Sequence, residues 1–193
     1  MTESFEKRIE KLNQEIRNCK RCSLWKFRKN TVPGEGPVDA KLMIIGQAPG
    51  SEENRVGKPF VGRAGQFLNK LLKIARIDRK EIYLTSPLKC FPPKNRKPTK
   101  KEIEACLPYL KKQIEIINPE KFILLGEVAF SVFFPNEKLK NFRGKWTPPT
   151  RHPFFKGKKE FFITYHPAAG LRFPKIKKIL EKDFKNPLID RKK

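Results

Sequence analysis

Acidic residues are scarce in this chain. Its 193 residues hold 20 Asp and Glu against 44 Lys and Arg, a formal net charge of +24. A field of that sign argues against cationic partners and favours a polyanion, nucleic acid foremost. A lysine-rich solubilising surface, as in a heat-adapted protein, accounts for the lysines but not for the missing acids. Long apolar runs are also lacking. Nothing approaches the ~18 consecutive apolar residues of a membrane span, and the opening MTESFEKRIEKLNQEI has no apolar signal core. The expectation is a protein of the reducing prokaryotic cytoplasm with no membrane partner. Histidine is rare too, at His152 and His166 only. Neither internal repeats nor low-complexity linkers break the chain, so one domain over residues 1–193 is expected.

The standard phosphate-binding signatures are absent. The stretch Leu42–Gly62, LMIIGQAPGSEENRVGKPFVG, has no Gly-Lys-Ser/Thr, and Gly46, Gly50 and Gly57 do not make G-x-G-x-x-G. What remains is a short apolar strand running into a loop rich in glycine and proline, a way to present backbone amides to a ligand. Further apolar runs recur at Ile82–Thr85, Phe122–Leu125 and Phe161–Tyr165. Helical spacing is predicted over residues 3–18, Gly65–Ala75, Thr99–Asn118, Glu127–Phe134 and Lys175–Phe184. The third opens on a capping box, Thr99-x-x-Glu102, and carries Pro108, which should kink it. This alternation predicts an α/β fold, a three-layer α/β/α sandwich around a four-stranded, mainly parallel sheet. Two basic loops, Pro87–Pro98 and Pro135–Lys159, are long enough to be functional.

In such a sheet the strand ends share one edge, and each carries a conspicuous residue: Gln47, Ser86, Gly126 and His166. The four cysteines fall as Cys19-x2-Cys22, Cys90 and Cys106. In a reducing compartment they read as metal or cluster ligands rather than disulfides. Four thiolates saturate either zinc or a 4Fe–4S cluster, and spacing alone leaves both open.

Taken together, Gly46-Gln47-Ala48-Pro49-Gly50, Glu52-Glu53, Gly57-Lys58-Pro59-Phe60-Val61-Gly62, Lys89-Cys90, Leu125-Gly126 with Ala129, Arg143-Gly144-Lys145 and His166-Pro167 resemble the family 4, iron–sulfur type of uracil-DNA glycosylase. The resemblance runs from about Leu12 to Phe184. It implies a structural 4Fe–4S cluster on Cys19, Cys22, Cys90 and Cys106, with no consumed cofactor. It also implies a DNA-repair enzyme that flips uracil, or a related deaminated base, out of single- or double-stranded DNA and hydrolyses it off, leaving an abasic site. Phe60 would stack on the base, and the Gln47 and Ala48 backbone would face its carbonyl edge. His166 would donate to the base O2, and Glu53 would orient water or offset charge on the sugar. The segment Ala168–Arg172 resembles a loop that enters the minor groove, with Leu171 or Arg172 as the wedge. A monomer is expected, with a sliding clamp as a further partner.

Two positions depart from the family. Gln47 stands where family 4 usually has Glu, so the catalytic position it occupies lacks a carboxylate. Ser86 stands where an asparagine typically reads the uracil edge, and a serine offers one good contact at most. The alternative from another class is a non-catalytic nucleic-acid-binding iron–sulfur protein that retains the glycosylase fold. A zinc-stabilised nuclease or phosphoesterase is poorly supported, because no carboxylate cluster suits Mg²⁺.

Overall fold

A computed structural model describes residues 3–147, 154, 157 and 159–185. His152, part of the Pro135–Lys159 loop and the basic tail beyond Lys185 lie outside the described residues.

Five strands form one sheet: β1 (Leu42–Ile45), β2 (Ile82–Thr85), β3 (Lys121–Leu125), β4 (Trp146–Thr147) and β5 (Glu160–Thr164). Their spatial order is β2-β1-β3-β5-β4. β1 pairs in parallel with β2 and β3, and β3 with β5. The sheet is one strand larger than the sequence predicts. β4 adds antiparallel to β5, with Trp146 opposite Phe162 and Thr147 opposite Phe161. Two residues carry no period from which a strand could be read.

Eight helices surround the sheet among the described residues: α1 (Phe5–Arg17), α2 (Ser51–Val56), α3 (Arg63–Ile74), α4 (Lys100–Ile117), α5 (Glu127–Phe133), α6 (Leu139–Phe142), α7 (Pro167–Arg172) and α8 (Pro174–Phe184). Alternation along the strands divides the core. Met43, Ile45, Phe122, Leu124, Phe161 and Ile163 face α4, α5 and α6. Ile44, Ile82, Leu84, Ile123, Leu125 and Phe162 face α3 and α8. The first face is built largely of phenylalanine rings, with Phe122 stacked on Phe161 at 4.9 Å between centroids. Burying such rings gives the sheet most of its stabilisation. Outside this layer α1 packs Leu12 and Ile16 against Cys106, Tyr109 and Ile116 of α4.

The caps explain the helix boundaries. Thr99 Oγ1 accepts from Glu102 N while Glu102 Oε2 accepts from Thr99 N, closing the predicted capping box of α4. At its other end Asn118 turns left-handed. Pro108 lies inside α4 without ending it. The expected loop after His166 is instead a helical turn and a half, α7, with Pro167 at its first position. Strand order reverses around β1, so the carboxyl ends of β1 and β3 frame a crevice.

Candidate active site

That crevice is a cleft of about 840 Å³, and Gln47, Ala48, Glu53, Phe60, Ser86, His166 and Leu171 all line it. Residues far apart in sequence are thus gathered at one sheet edge, as parallel strand ends require.

Phe60 holds an uncommon backbone, φ +53°. A bulky residue there is strained and persists only where its surroundings impose it. Three groups do so. A Cβ on Gly65 would lie 1.9 Å from the Phe60 carbonyl oxygen, so α3 can approach this turn only with glycine. A Cβ on Gly46 would lie 2.6 Å from Phe60 Cζ, so the ring lies directly over the end of β1. Arg79 donates to Pro59 O at 2.9 Å and to Asn69 Oδ1 at 2.8 Å, tying the turn to α3. Sequence reading missed Arg79, because nothing local links it to a loop twenty residues earlier.

The His166 ring lies 6.1 Å from the Phe60 ring, the planes 26° apart. Its Nδ1 accepts from Ala168 N at 3.2 Å, the first turn of α7. Burial holds its pKa down at about 4, so the imidazole is neutral at physiological pH. A neutral ring accepting at Nδ1 carries its proton on Nε2. The side chain is therefore a hydrogen-bond donor through Nε2, and not a cation. Gly126 makes this arrangement possible. Its φ of +86° suits glycine alone, and a Cβ there would sit 2.9 Å from His166 Cβ and 3.2 Å from Gln47 Cδ. Gln47 and His166 thus both pack onto one bare backbone position.

Both oxygens of Glu53 are engaged by backbone. Oε2 accepts from Gly50 N at 3.0 Å; Oε1 accepts from Val61 N at 2.9 Å and Gly62 N at 2.8 Å. The carboxylate reaches back to the N-cap amide of α2 and clamps the residues that follow Phe60. Ser86 is buried, and its Oγ donates to Leu88 O at 2.5 Å.

Behind Ser86 lies the principal residue that sequence reading misplaced. Lys89 belongs by sequence to a basic loop, yet it is buried, with Nζ donating to Thr85 Oγ1 at 2.6 Å, Ser86 O at 2.6 Å and Gln113 Oε1 at 2.7 Å. Burial lowers its pKa to about 7, opposed by the neighbouring Cys106 and Cys90 thiols. Its position between Leu88 and Cys90, both buried, was the available signal. Arg96 stays exposed, but its charge is paired: it donates to both oxygens of Glu102 at 2.8 and 2.6 Å. Lys94 and Lys97 of that loop and Lys100 and Lys101 at the start of α4 are exposed, and Lys97 lines the cleft.

The four cysteines line a second cavity, together with Arg21, Arg28, Lys89 and Tyr109. All four are free thiols. Arg28 donates to Cys90 Sγ at 3.3 Å, Lys89 N to Cys106 Sγ at 3.3 Å, and Arg21 N to Cys19 Sγ at 3.5 Å. Burial pushes the Cys106 thiol up to about 12. Among the described residues, no three His, Cys, Asp or Glu side chains converge closely enough to hold a metal ion. The expected ligands therefore share a cavity without forming a closed coordination set.

No helix among the described residues is long and apolar enough to cross a membrane. Residues 33–188 match the family model of the uracil DNA glycosylase superfamily. A type-4 uracil-DNA glycosylase of Saccharolobus solfataricus is 44% identical over 183 residues, covering 92% of this chain and 83% of that protein. Another, of Sulfurisphaera tokodaii, is 42% identical over 181 residues, covering 92% and 82%. A third, of Archaeoglobus fulgidus, is 38% identical over 183 residues, covering 92% and 90%.

Proposed function

This chain belongs to the uracil DNA glycosylase superfamily, and from that premise we propose that it excises uracil from DNA in the cleft at the carboxyl edge of its sheet. The observation that carries the reading is the facing of Phe60, held in a strained backbone, by His166, whose Nδ1 is occupied by the Ala168 amide so that Nε2 is left to donate. A base turned out of the DNA stack would lie on Phe60, with the Gln47–Ala48 backbone along its edge and Ser86 at its far side. Water attacks the sugar C1′ as the C1′–N1 bond breaks; the electron pair leaves with the base, and the proton the water gives up passes to solvent and finally neutralises the departed uracil anion. Negative charge then gathers on the uracil O2. His166 Nε2–H meets that oxygen, a pre-set donor typically worth about 3 kcal/mol in the transition state. A neutral donor loses no proton in this step.

Glu53 acts in this reading by positioning: it fixes the turn that carries Phe60. Gln47, beside Gly126 as His166 is, orients the attacking water through its amide in this reading. Leu171, exposed on α7, is the wedge into the minor groove. The exposed lysines of the Lys94–Lys101 loop hold the phosphate backbone of uracil-bearing DNA, in a monomer folded as one domain.

We further assign a 4Fe–4S cluster to Cys19, Cys22, Cys90 and Cys106. The support is four free thiols around one cavity, the N–H donors aimed at three of their sulfurs, and the donor chemistry of four thiolates. When bound, the cluster ties the end of α1, the Lys89 loop and α4 together and supplies no step of base release.

The test is base release from uracil-containing oligonucleotides, single-stranded and paired, by protein purified without chelator, with its visible spectrum recorded. Free uracil and an abasic product are expected. Tight DNA binding with no release would support the non-catalytic binder instead.

A further inference from the structure

Ser86 deepens this reading, and the inference rests on the cleft being the base pocket. Its hydroxyl has one proton and two lone pairs. The proton is committed, because Leu88 O can only accept and lies 2.5 Å away. The peptide that carries Ser86 is also pinned, since its carbonyl accepts from the buried Lys89 Nζ at 2.6 Å. Lys89 is held in turn by Thr85 and Gln113. Backbone and side chain are both fixed, and Ser86 is itself only 8% exposed. Turning the hydroxyl toward a ligand would remove the proton that Leu88 O receives in a buried setting, where an unpaired carbonyl is costly.

We propose that Ser86 is an acceptor-only specificity residue, which selects bases by a ring N–H and leaves the neighbouring carbonyl unread. A primary amide in its place would offer both an acceptor and a donor, and so read two adjacent positions of a base. Ser86 offers lone pairs alone. They suit the N3–H of uracil and the equivalent lactam N–H of deaminated purines. They oppose the bare N3 of cytosine, lone pair against lone pair. The substituent at C4 of the pyrimidine is not recognised by this side chain, so the substrate class is wider on that side than a two-point reader allows.

The experiment compares uracil with 4-thiouracil, which keeps N3–H but is a poor acceptor at C4, and with 3-methyluracil, which has no N3–H. Each free base is titrated as an inhibitor of uracil release by the holoenzyme, so differences in leaving-group ability do not enter. Uracil and 4-thiouracil should inhibit within about threefold of each other, and 3-methyluracil about tenfold or more weakly, the worth of one lost hydrogen bond. Ser86→Asn should open a gap of about tenfold between uracil and 4-thiouracil by adding the missing donor. Single-turnover release from oligonucleotides bearing uracil or 4-thiouracil should show the same change in ratio between the two proteins. A tenfold preference for uracil over 4-thiouracil in the unaltered protein overturns the inference while leaving the glycosylase intact. So does a folded Ser86→Asn protein with an unchanged ratio. Failure to release uracil at all overturns the base-pocket reading, and this inference with it.

Discussion

Glu53→Gln tests whether this carboxylate clamps a loop or activates water. In the folded chain its two oxygens accept three backbone N–H groups, from Gly50, Val61 and Gly62, at 2.8–3.0 Å. Glutamine keeps one oxygen, enough for Val61 and Gly62, and turns an NH₂ toward Gly50 N–H, donor against donor. One charge-assisted bond is lost and two become neutral, a cost of roughly 2–4 kcal/mol, less where water reaches the loop. For a chain of this size that lowers the midpoint of thermal unfolding by roughly 5–15 °C. Val61 and Gly62 directly follow Phe60, whose strained left-handed backbone then keeps only the packing of Gly46 and Gly65 and the Arg79 bonds to hold it. Base release should therefore weaken mainly through KM, by about tenfold, as the stacking ring loses its fixed place. Thermal unfolding and steady-state release on a uracil oligonucleotide measure both effects. A Glu53→Gln protein with unchanged Tm and kcat reduced by about a thousandfold or more would refute the clamp and restore a role at the water.

Three other outcomes are expected. His166 is held at about 4 instead of its ordinary 6.5; the unfolded chain binds the extra proton between those values, so stability is full above pH 6.5 and falls as pH drops toward 4, by at most roughly 3 kcal/mol. Base release should show no inflection near pH 6.5, and one there would contradict a neutral donor. Gly126→Ala should reduce release by about a hundredfold or more, because its φ of +86° and the 2.9 Å approach to His166 Cβ leave no room for a methyl group; single-turnover rates near those of the parent would show that the site adjusts. Replacing Lys94 and Lys97 together with Ala should weaken DNA binding and reduce the slope of log K against log salt by about 2, with release from bound DNA little changed. A salt titration by fluorescence anisotropy reads that slope, and an unaltered one would place the DNA elsewhere.

The layered α/β order was legible in the chain because its signals are local. Four apolar runs separated by helical periods, with the Thr99–Glu102 capping box, are each complete within a few residues. The positions of Gln47, Ser86 and His166 at one edge followed from parallel strands alone, since such strands end on the same side. Phe60 and the four cysteines were named by motif, and the motif carried the family as well. Local pattern says nothing, however, about what a side chain's polar atoms touch across the fold. Glu53 and Lys89 look alike in sequence to any loop acid or surface lysine. Only the tertiary structure sets Glu53 against three backbone amides and seals Lys89 behind Ser86 between strand β2 and helix α4. The same holds for the protonation of His166, which depends on burial and on the amide of Ala168. Sequence by itself determined the layered order, four of the five strands among the described residues and the longer helices, and it set the strand-end residues on one edge. Which atoms there can donate and which can only accept was decided by packing, because the backbone course that brings even near neighbours within hydrogen-bond reach, and the desolvation around them, are set by the whole fold.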